Sequence, residues 1–435
     1  MNSPQSSSSG NFETNKAVRV LTEAAGLLRR PQRAISLVSK LASDGLRTTF
    51  EHRHLYSYAT ATVPTADALR SVIDWILHAQ RPDGGIAAYY SLLTGYSDPY
   101  PEVTGYIIPT LYDFCRLTGG EAARHAAERA THWLLSLQMP SGAFPGGLHD
   151  SSSAQPSVFN TGQILQGLVR ARAETGTAEI MERAMAAGNW LAAMQQANGS
   201  WSGPAAYQGV AHTYYSMVSW ALAQLADASK DPRHAAAADR NINWVLSHVK
   251  PSGWIDGINL RGHPAYLHFI AYVIQGVLEC GILRRRDDAI QTAAKPAWVL
   301  LRKFETHKRL LGTYEADFRG GLPFTCLTGN AQMSCVWLRL FEVTGDLRYL
   351  NAALKLNEML KQLLPLKGRR GVVGGVAGSD PIWRAYQPMR FISWGAKFLA
   401  DALMLEQRLM REFEEQSEAK CEIKPEIKPE ASECA

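Results

Sequence analysis

From about residue 64 to about residue 407 the chain alternates between two kinds of helical pattern. Stretches such as YIIPTLYDF, QILQGLV, YYSMVSWALAQL and FIAYVIQGVL are apolar around most of a helix circumference. Stretches such as EAARHAAERATHWLL are apolar on one side and charged on the other. A helix that is apolar all round is buried, and an amphipathic one faces solvent. The apolar set predicts inner helices at 102–118, 160–175, 211–227, 264–282, 329–344 and 387–407. The charged set predicts outer helices at 64–80, 120–138, 178–196, 232–249, 285–305 and 346–364. Six outer–inner pairs give two concentric rings, an all-α fold of the (α/α)6 toroid type. An open solenoid is the alternative, but six pairs is the number that commonly closes.

A repeat reinforces this reading. Trp75, Trp133, Trp190, Trp244 and Trp298 are separated by 58, 57, 54 and 54 residues, each late in a predicted outer helix. Gly84, Gly142, Gly199 and Gly253 follow the first four by nine positions, and Gln80, Gln138 and Gln195 follow the first three by five. A tight turn with positive φ after the helix explains the glycine. These tryptophans are expected to pack.

Around the repeat the organisation is simple. Residues 1–13 are rich in Ser, Asn and Gly and read as disordered, 14–63 as a helical cap, 64–410 as the toroid, and 411–435 as a charged, disordered tail. The arginines of residues 15–53 also allow a weak membrane-surface contact. A net charge of +5 is no nucleic-acid footprint. The six scattered cysteines form no CxxC and read as reduced thiols. The polar N-terminus has no signal-type apolar core, so a cytoplasmic location is expected. His268–Leu283 is interrupted by Gln275 and Glu279 and makes a poor membrane span.

The segments WLLSLQMPSGAF and WLAAMQQANGSW resemble the Trp–Gln motifs of triterpene cyclases, within the terpenoid-cyclase and prenyltransferase α/α-toroid superfamily. That resemblance implies architecture; the DxDD acid motif, the prenyltransferase zinc set and the CHG zinc element of lanthionine cyclases are not found. The strings YPEVTGYIIPTL, VFNTGQILQGL, LTGNAQMSCVWLRL and WGAKFLADALM resemble an uncharacterised family of bacterial polysaccharide-gene-cluster proteins. Glucuronyl C5-epimerases and several polysaccharide lyases share the toroid architecture, so this second resemblance implies work on a glycan.

In such a toroid the N-terminal ends of the inner helices line one mouth, where free N–H groups and the helix dipole favour anions. Polar residues concentrate there. Catalytic candidates are His212, Tyr214, Tyr215, His263, Tyr266, Asp98 and Glu102; substrate-binding candidates are Tyr100, Asn160, Gln163, Asp256, Arg261, His268, Asn330, Gln332, Arg384, Tyr386 and Arg390. Each also has a plainer role open to it. Glu102 after Pro101 suits a first helical turn, Asn160 and Asn330 suit helix caps, and His212 suits a satisfied buried histidine. His263 and His268 are five apart, which does not suit a zinc pair, so no metal or organic cofactor is expected.

The leading expectation is proton abstraction next to a uronate carboxylate, by a lyase or C5-epimerase acting on an acidic or lipid-linked glycan. Asn160, Asn330 and an arginine would neutralise the carboxylate. The tyrosines with His212 or His263 would serve as base and acid. The rivals are a glycoside hydrolase with carboxylates from Asp98, Glu102, Asp256 and Asp380, a terpenoid-cyclase-like enzyme, and a non-catalytic glycan-binding protein.

Overall fold

The computed structural model describes residues 63–149, 155–260 and 264–422, with side chains to 415. The expectations for residues 1–13, for 14–62 and for 423–435 lie outside the described residues, as do Arg261 and His263.

Twelve α-helices are present among the described residues. The outer set comprises α1 (Thr65–Ala79), α3 (Glu121–Leu137), α5 (Ala178–Met194), α7 (Pro232–Leu246), α9 (Asp287–His307) and α11 (Leu347–Gln362). The inner set comprises α2 (Pro101–Thr118), α4 (Val158–Thr175), α6 (Ser216–Ser229), α8 (Leu267–Arg284), α10 (Leu327–Thr344) and α12 (Ser393–Glu422). Each inner helix packs on the next inner helix, and α12 packs back on α2, so the ring closes. Short turns join each inner helix to the outer helix that follows it, and α12 pairs with α1 across the two ends of the toroid. A buried polar knot fastens that seam: Thr65 Oγ1 donates to Glu406 at 2.7 Å and Asn357 Nδ2 to the same carboxylate at 2.8 Å.

The Trp–Gln–Gly repeat turns out to be a stitch between neighbouring outer helices. Gln80 Nε2 donates to Gly84 and Ala126 carbonyls, Gln138 to Gly142 and Arg183, and Gln195 to Gly199 and Ala237, all between 2.8 and 3.1 Å. The glycine has two reasons to be there. Gly142 has φ +91°, and a Cβ on it would stand 2.4 Å from the Ala186 carbonyl oxygen of the next outer helix. Trp75 is fully buried, while Trp190, Trp244 and Trp298 are half-buried against the outer ring.

Long loops connect each outer helix to the inner helix after it, and they all gather at one end of the barrel. Short antiparallel strands tie them together. Strand β1 (Tyr89–Ser91) pairs with β2 (Gly95–Tyr96) and with β7 (Arg390–Ile392), linking the first loop to the last. Strands β3 (Ala265–Tyr266) and β4 (Thr313–Tyr314) pair, as do β5 (Thr325–Cys326) and β6 (Ser379–Asp380).

Three boundaries differ most from the sequence expectation. Helix α6 starts at Ser216, not 211, because Thr213–Tyr215 form a 3-10 turn. Helix α12 starts at Ser393, not 387: Gln387 and Met389 take positive φ and Arg390–Ile392 are drawn into β7. The same helix runs on to Glu422, so residues 411–422 are helix where a disordered tail was expected. Arg408 explains part of the extension, pairing with Glu412 one turn on and with Glu342 of α10. Helix α8 is long and apolar enough to cross a membrane, but 78% of its apolar window is buried within the ring. The four described cysteines are all free thiols.

Candidate functional site

The mouth is built on Glu102. Pro101 sets the first turn of α2 and places Glu102 in it, facing the inside of the ring, only 8% exposed. The hydroxyl of Tyr100 donates to Glu102 Oε2 at 2.6 Å, and Asn160 lies beside Tyr100. Asn160 donates to the Pro145 carbonyl at 3.0 Å, which pins it. Burial pushes the Glu102 carboxyl up to about 7, outweighing the Tyr100 hydrogen bond that favours the carboxylate. Glu102 therefore changes charge near neutral pH.

Around it stand aromatic rings from five inner helices or their leads. Tyr106 of α2 lies beside Tyr272 of α8. Tyr272 lies 5.5 Å from Phe159 of α4 and 5.7 Å from Phe398 of α12, centroid to centroid. Phe159 in turn meets Tyr214 at 5.2 Å and stacks on Tyr215 at 5.7 Å. On the far side Tyr266 lies 5.2 Å from Tyr386, whose hydroxyl accepts from Trp394 Nε1 at 2.9 Å. Burial raises the phenols of Tyr100, Tyr106, Tyr214, Tyr272 and Tyr386 well above their ordinary range, and that of Tyr215 to about 12. These groups are neutral hydroxyls at physiological pH.

Two histidines belong to the same shell. His268 Nδ1 donates to Gln332 Oε1 at 3.0 Å, and Gln332 Nε2 donates to Gln275 Oε1 at 2.8 Å. That chain holds His268 with its proton on Nδ1, and burial lowers its pKa to about 3, so it is neutral. His212 lies parallel to Tyr214 at 4.8 Å and directs Nε2 to the Tyr207 carbonyl at 3.0 Å. A carbonyl only accepts, so His212 carries its proton on Nε2.

The structure thus gathers Glu102, Tyr100, Asn160, His212, Tyr214, Tyr215, Tyr266, His268, Gln332 and Tyr386 around one mouth. Other candidates stand apart. Asp98 is exposed on the loop before α2, and Asp256 is exposed and paired with Lys250 at 3.2 Å. Arg384 is exposed on the last loop. Gln163 is buried beside Gln166 at 3.2 Å, and Asn330 donates to the Cys326 carbonyl at 2.8 Å within its own first turn. Arg390 is buried, lies 4.0 Å over the Tyr89 ring and donates to Gln387 at 3.2 Å. Tyr106, Phe159, Tyr272 and Phe398 were not among the sequence candidates because they sit inside apolar helices. The available signal was spacing: Glu102 and Tyr106, like His268 and Tyr272, are four apart and share a helix face. No group of three or more potential metal ligands occurs among the described residues.

Comparison with known proteins agrees with this architecture. Residues 55–276 match the model of the squalene-hopene cyclase C-terminal domain. The fold is similar to that of an unsaturated glucuronyl hydrolase specific for heparin (TM-score 0.65, 14% identity, 80% of this chain and 98% of that one). It is also similar to cellobiose 2-epimerase from Spirochaeta thermophila (0.63, 15%, 80% and 96%). A D-mannose isomerase is a third such structure (0.62, 13%, 81% and 100%). No curated protein sequence matches the chain.

Proposed function

Given that the chain belongs to the family of the squalene-hopene cyclase C-terminal domain, we propose that it is a carbohydrate-active toroid in which Glu102 moves a proton on a sugar. The observation that carries this reading is the buried Glu102 carboxyl, held by Tyr100, titrating near neutral pH within a cup of tyrosines. A general base works best when its pKa lies near the working pH. Burial takes the phenols out of that range in one direction and His268 in the other. Glu102 remains as the group suited to take and return a proton, with neutral tyrosine hydroxyls placed to donate to sugar oxygens.

The reaction we assign is proton abstraction at the carbon next to a uronate carboxylate, giving β-elimination or C5 epimerisation in the modification of an acidic polysaccharide. The last mouth loop supports an anionic substrate: Lys367, Arg369, Arg370 and Arg384 are all exposed on it. The named structural relatives act on glucuronyl, cellobiose and mannose substrates. A shared fold does not transfer chemistry, so the weight rests on the mouth.

A second reading, a cyclase of isoprenoid chains, draws on the aromatic lining and the family. Its difficulty is acidity. Protonating an alkene needs an acid far stronger than a carboxyl with a pKa of about 7. The test is a panel of uronate-containing and neutral oligosaccharides, plus squalene, incubated with the protein and with a Glu102→Gln variant. Unsaturated or epimerised uronate from the wild type alone is the expected result. New reducing ends would favour hydrolysis, and a cyclised product the second reading.

A further inference from the structure

Tyr207 stands at the rim of the mouth, 48% exposed, in the loop before α6. A single exposed aromatic is ordinary on a protein surface. This one is held by the site. Its N–H donates to the hydroxyl of Tyr215 at 2.8 Å, and its carbonyl accepts from His212 Nε2 at 3.0 Å. Both holding side chains are buried, at 0% and 1% exposure. The next residue, Gln208, takes φ +55°, a left-handed conformation unfavourable for a residue with a side chain. The loop is pinched shut by Gly203 N–H donating to the Gly209 carbonyl at 3.1 Å. Buried polar groups and a left-handed residue fix the position of a ring that is left half in solvent, which points to use.

The ring also begins a continuous run of aromatics into the barrel. Tyr207 lies 6.1 Å from His212, His212 4.8 Å from Tyr214, Tyr214 5.2 Å from Phe159, and Phe159 5.5 Å from Tyr272. Tyr272 is close enough to Glu102 for that carboxylate to raise its pKa further. Sugar rings lay their C–H faces on aromatic faces, and tyrosine offers such a face with little conformational freedom to lose.

We propose that Tyr207 is the stacking platform of a second sugar subsite, so that the mouth takes an oligosaccharide with one unit at Glu102 and a neighbouring unit on Tyr207. This rests on the sugar reading of the site. His212 and Tyr215 then act as positioning residues that hold the platform.

The test is ligand-observed NMR titration of the intact protein with methyl β-glucuronide and with a glucuronate–glucosamine tetrasaccharide. The wild type is expected to bind the tetrasaccharide more tightly than the monosaccharide. Tyr207→Ala should weaken tetrasaccharide binding about 3- to 10-fold, the scale of one aromatic contact, and leave the monosaccharide unchanged. Tyr207→Trp should restore it, and all three proteins should melt together because the ring is half in solvent. Equal tetrasaccharide affinity in wild type and Tyr207→Ala overturns the platform and leaves the Glu102 reading standing. Failure of the wild type to bind either sugar overturns both.

Discussion

Replacing Glu102 by glutamine separates the effect of charge from that of shape. The side chains are nearly isosteric, and the amide oxygen can still accept the Tyr100 hydroxyl bonded to Oε2 at 2.6 Å. Burial raises the Glu102 pKa from 4.5 to about 7. At 1.36 kcal/mol for each pKa unit, that shift is worth on the order of 3 kcal/mol. The direction follows from proton counting. Between the two values the folded protein holds a proton that the unfolded chain has released, so stability falls as pH rises. The contribution is complete below about 4.5 and lost above about 7. Glu102→Gln carries no such charge. Wild type and variant should melt alike at pH 4.5, and the variant should gain on the wild type as pH rises. The gain at pH 9 is about 3 kcal/mol, roughly 4 °C in Tm for a chain of this size. Circular-dichroism melts across that range, with urea unfolding at both ends, measure it. A Tm difference that does not change with pH would refute the burial argument. With substrate in hand, kcat/KM should rise with an apparent pKa near 7 in the wild type and fall ~10²–10⁴-fold in the variant.

Further outcomes follow from the same structure. His268 is held neutral, its pKa lowered from 6.5 to about 3, so the unfolded chain takes up a proton that the fold refuses. Stability from this group is present above about pH 6.5 and lost as pH falls towards 3; His268→Gln should flatten that acid limb in urea unfolding at pH 7 against pH 5. Gly142→Ala meets both a positive φ and the Ala186 carbonyl at 2.4 Å, and should cost more than ~2 kcal/mol by thermal unfolding. Gln195→Ala, which loses two carbonyl bonds at 2.8 and 3.1 Å, should cost about 1–3 kcal/mol in the same measurement. Glu406→Ala leaves Asn357 and Thr65 without their shared acceptor at the ring seam, and should lower stability by about 2–4 kcal/mol.

The ring was legible because its signals are local and periodic. An all-round apolar stretch such as FIAYVIQGVL cannot be placed anywhere but inside, and the full Trp–Gln–Gly spacing repeats at the first three outer turns. Helix starts were less legible where tertiary pairing overrides local preference, as at Arg390–Ile392, drawn into a strand by Tyr89–Ser91 from the other end of the chain. The mouth was legible as a location, since one polar cluster precedes each inner helix. Its chemistry was not. Whether Glu102 is an ordinary first-turn carboxylate or a buried acid depends on Tyr106 one turn along its own helix and on Phe159, Tyr214 and Tyr272 from other elements of the ring. Asp256 shows the converse, a carboxylate in a promising loop that the fold leaves in water beside Lys250.

The most direct test of the account is isotopic. The wild type, turning over a uronate-containing oligosaccharide in heavy water, should either return one deuterium to C5 as it epimerises or leave an unsaturated uronate with no hydrogen at C5, read by mass spectrometry and ultraviolet absorbance, and Glu102→Gln should do neither. Turnover with neither deuterium at C5 nor an unsaturated uronate, or undiminished turnover in Glu102→Gln, would contradict the claim that this carboxyl moves the proton.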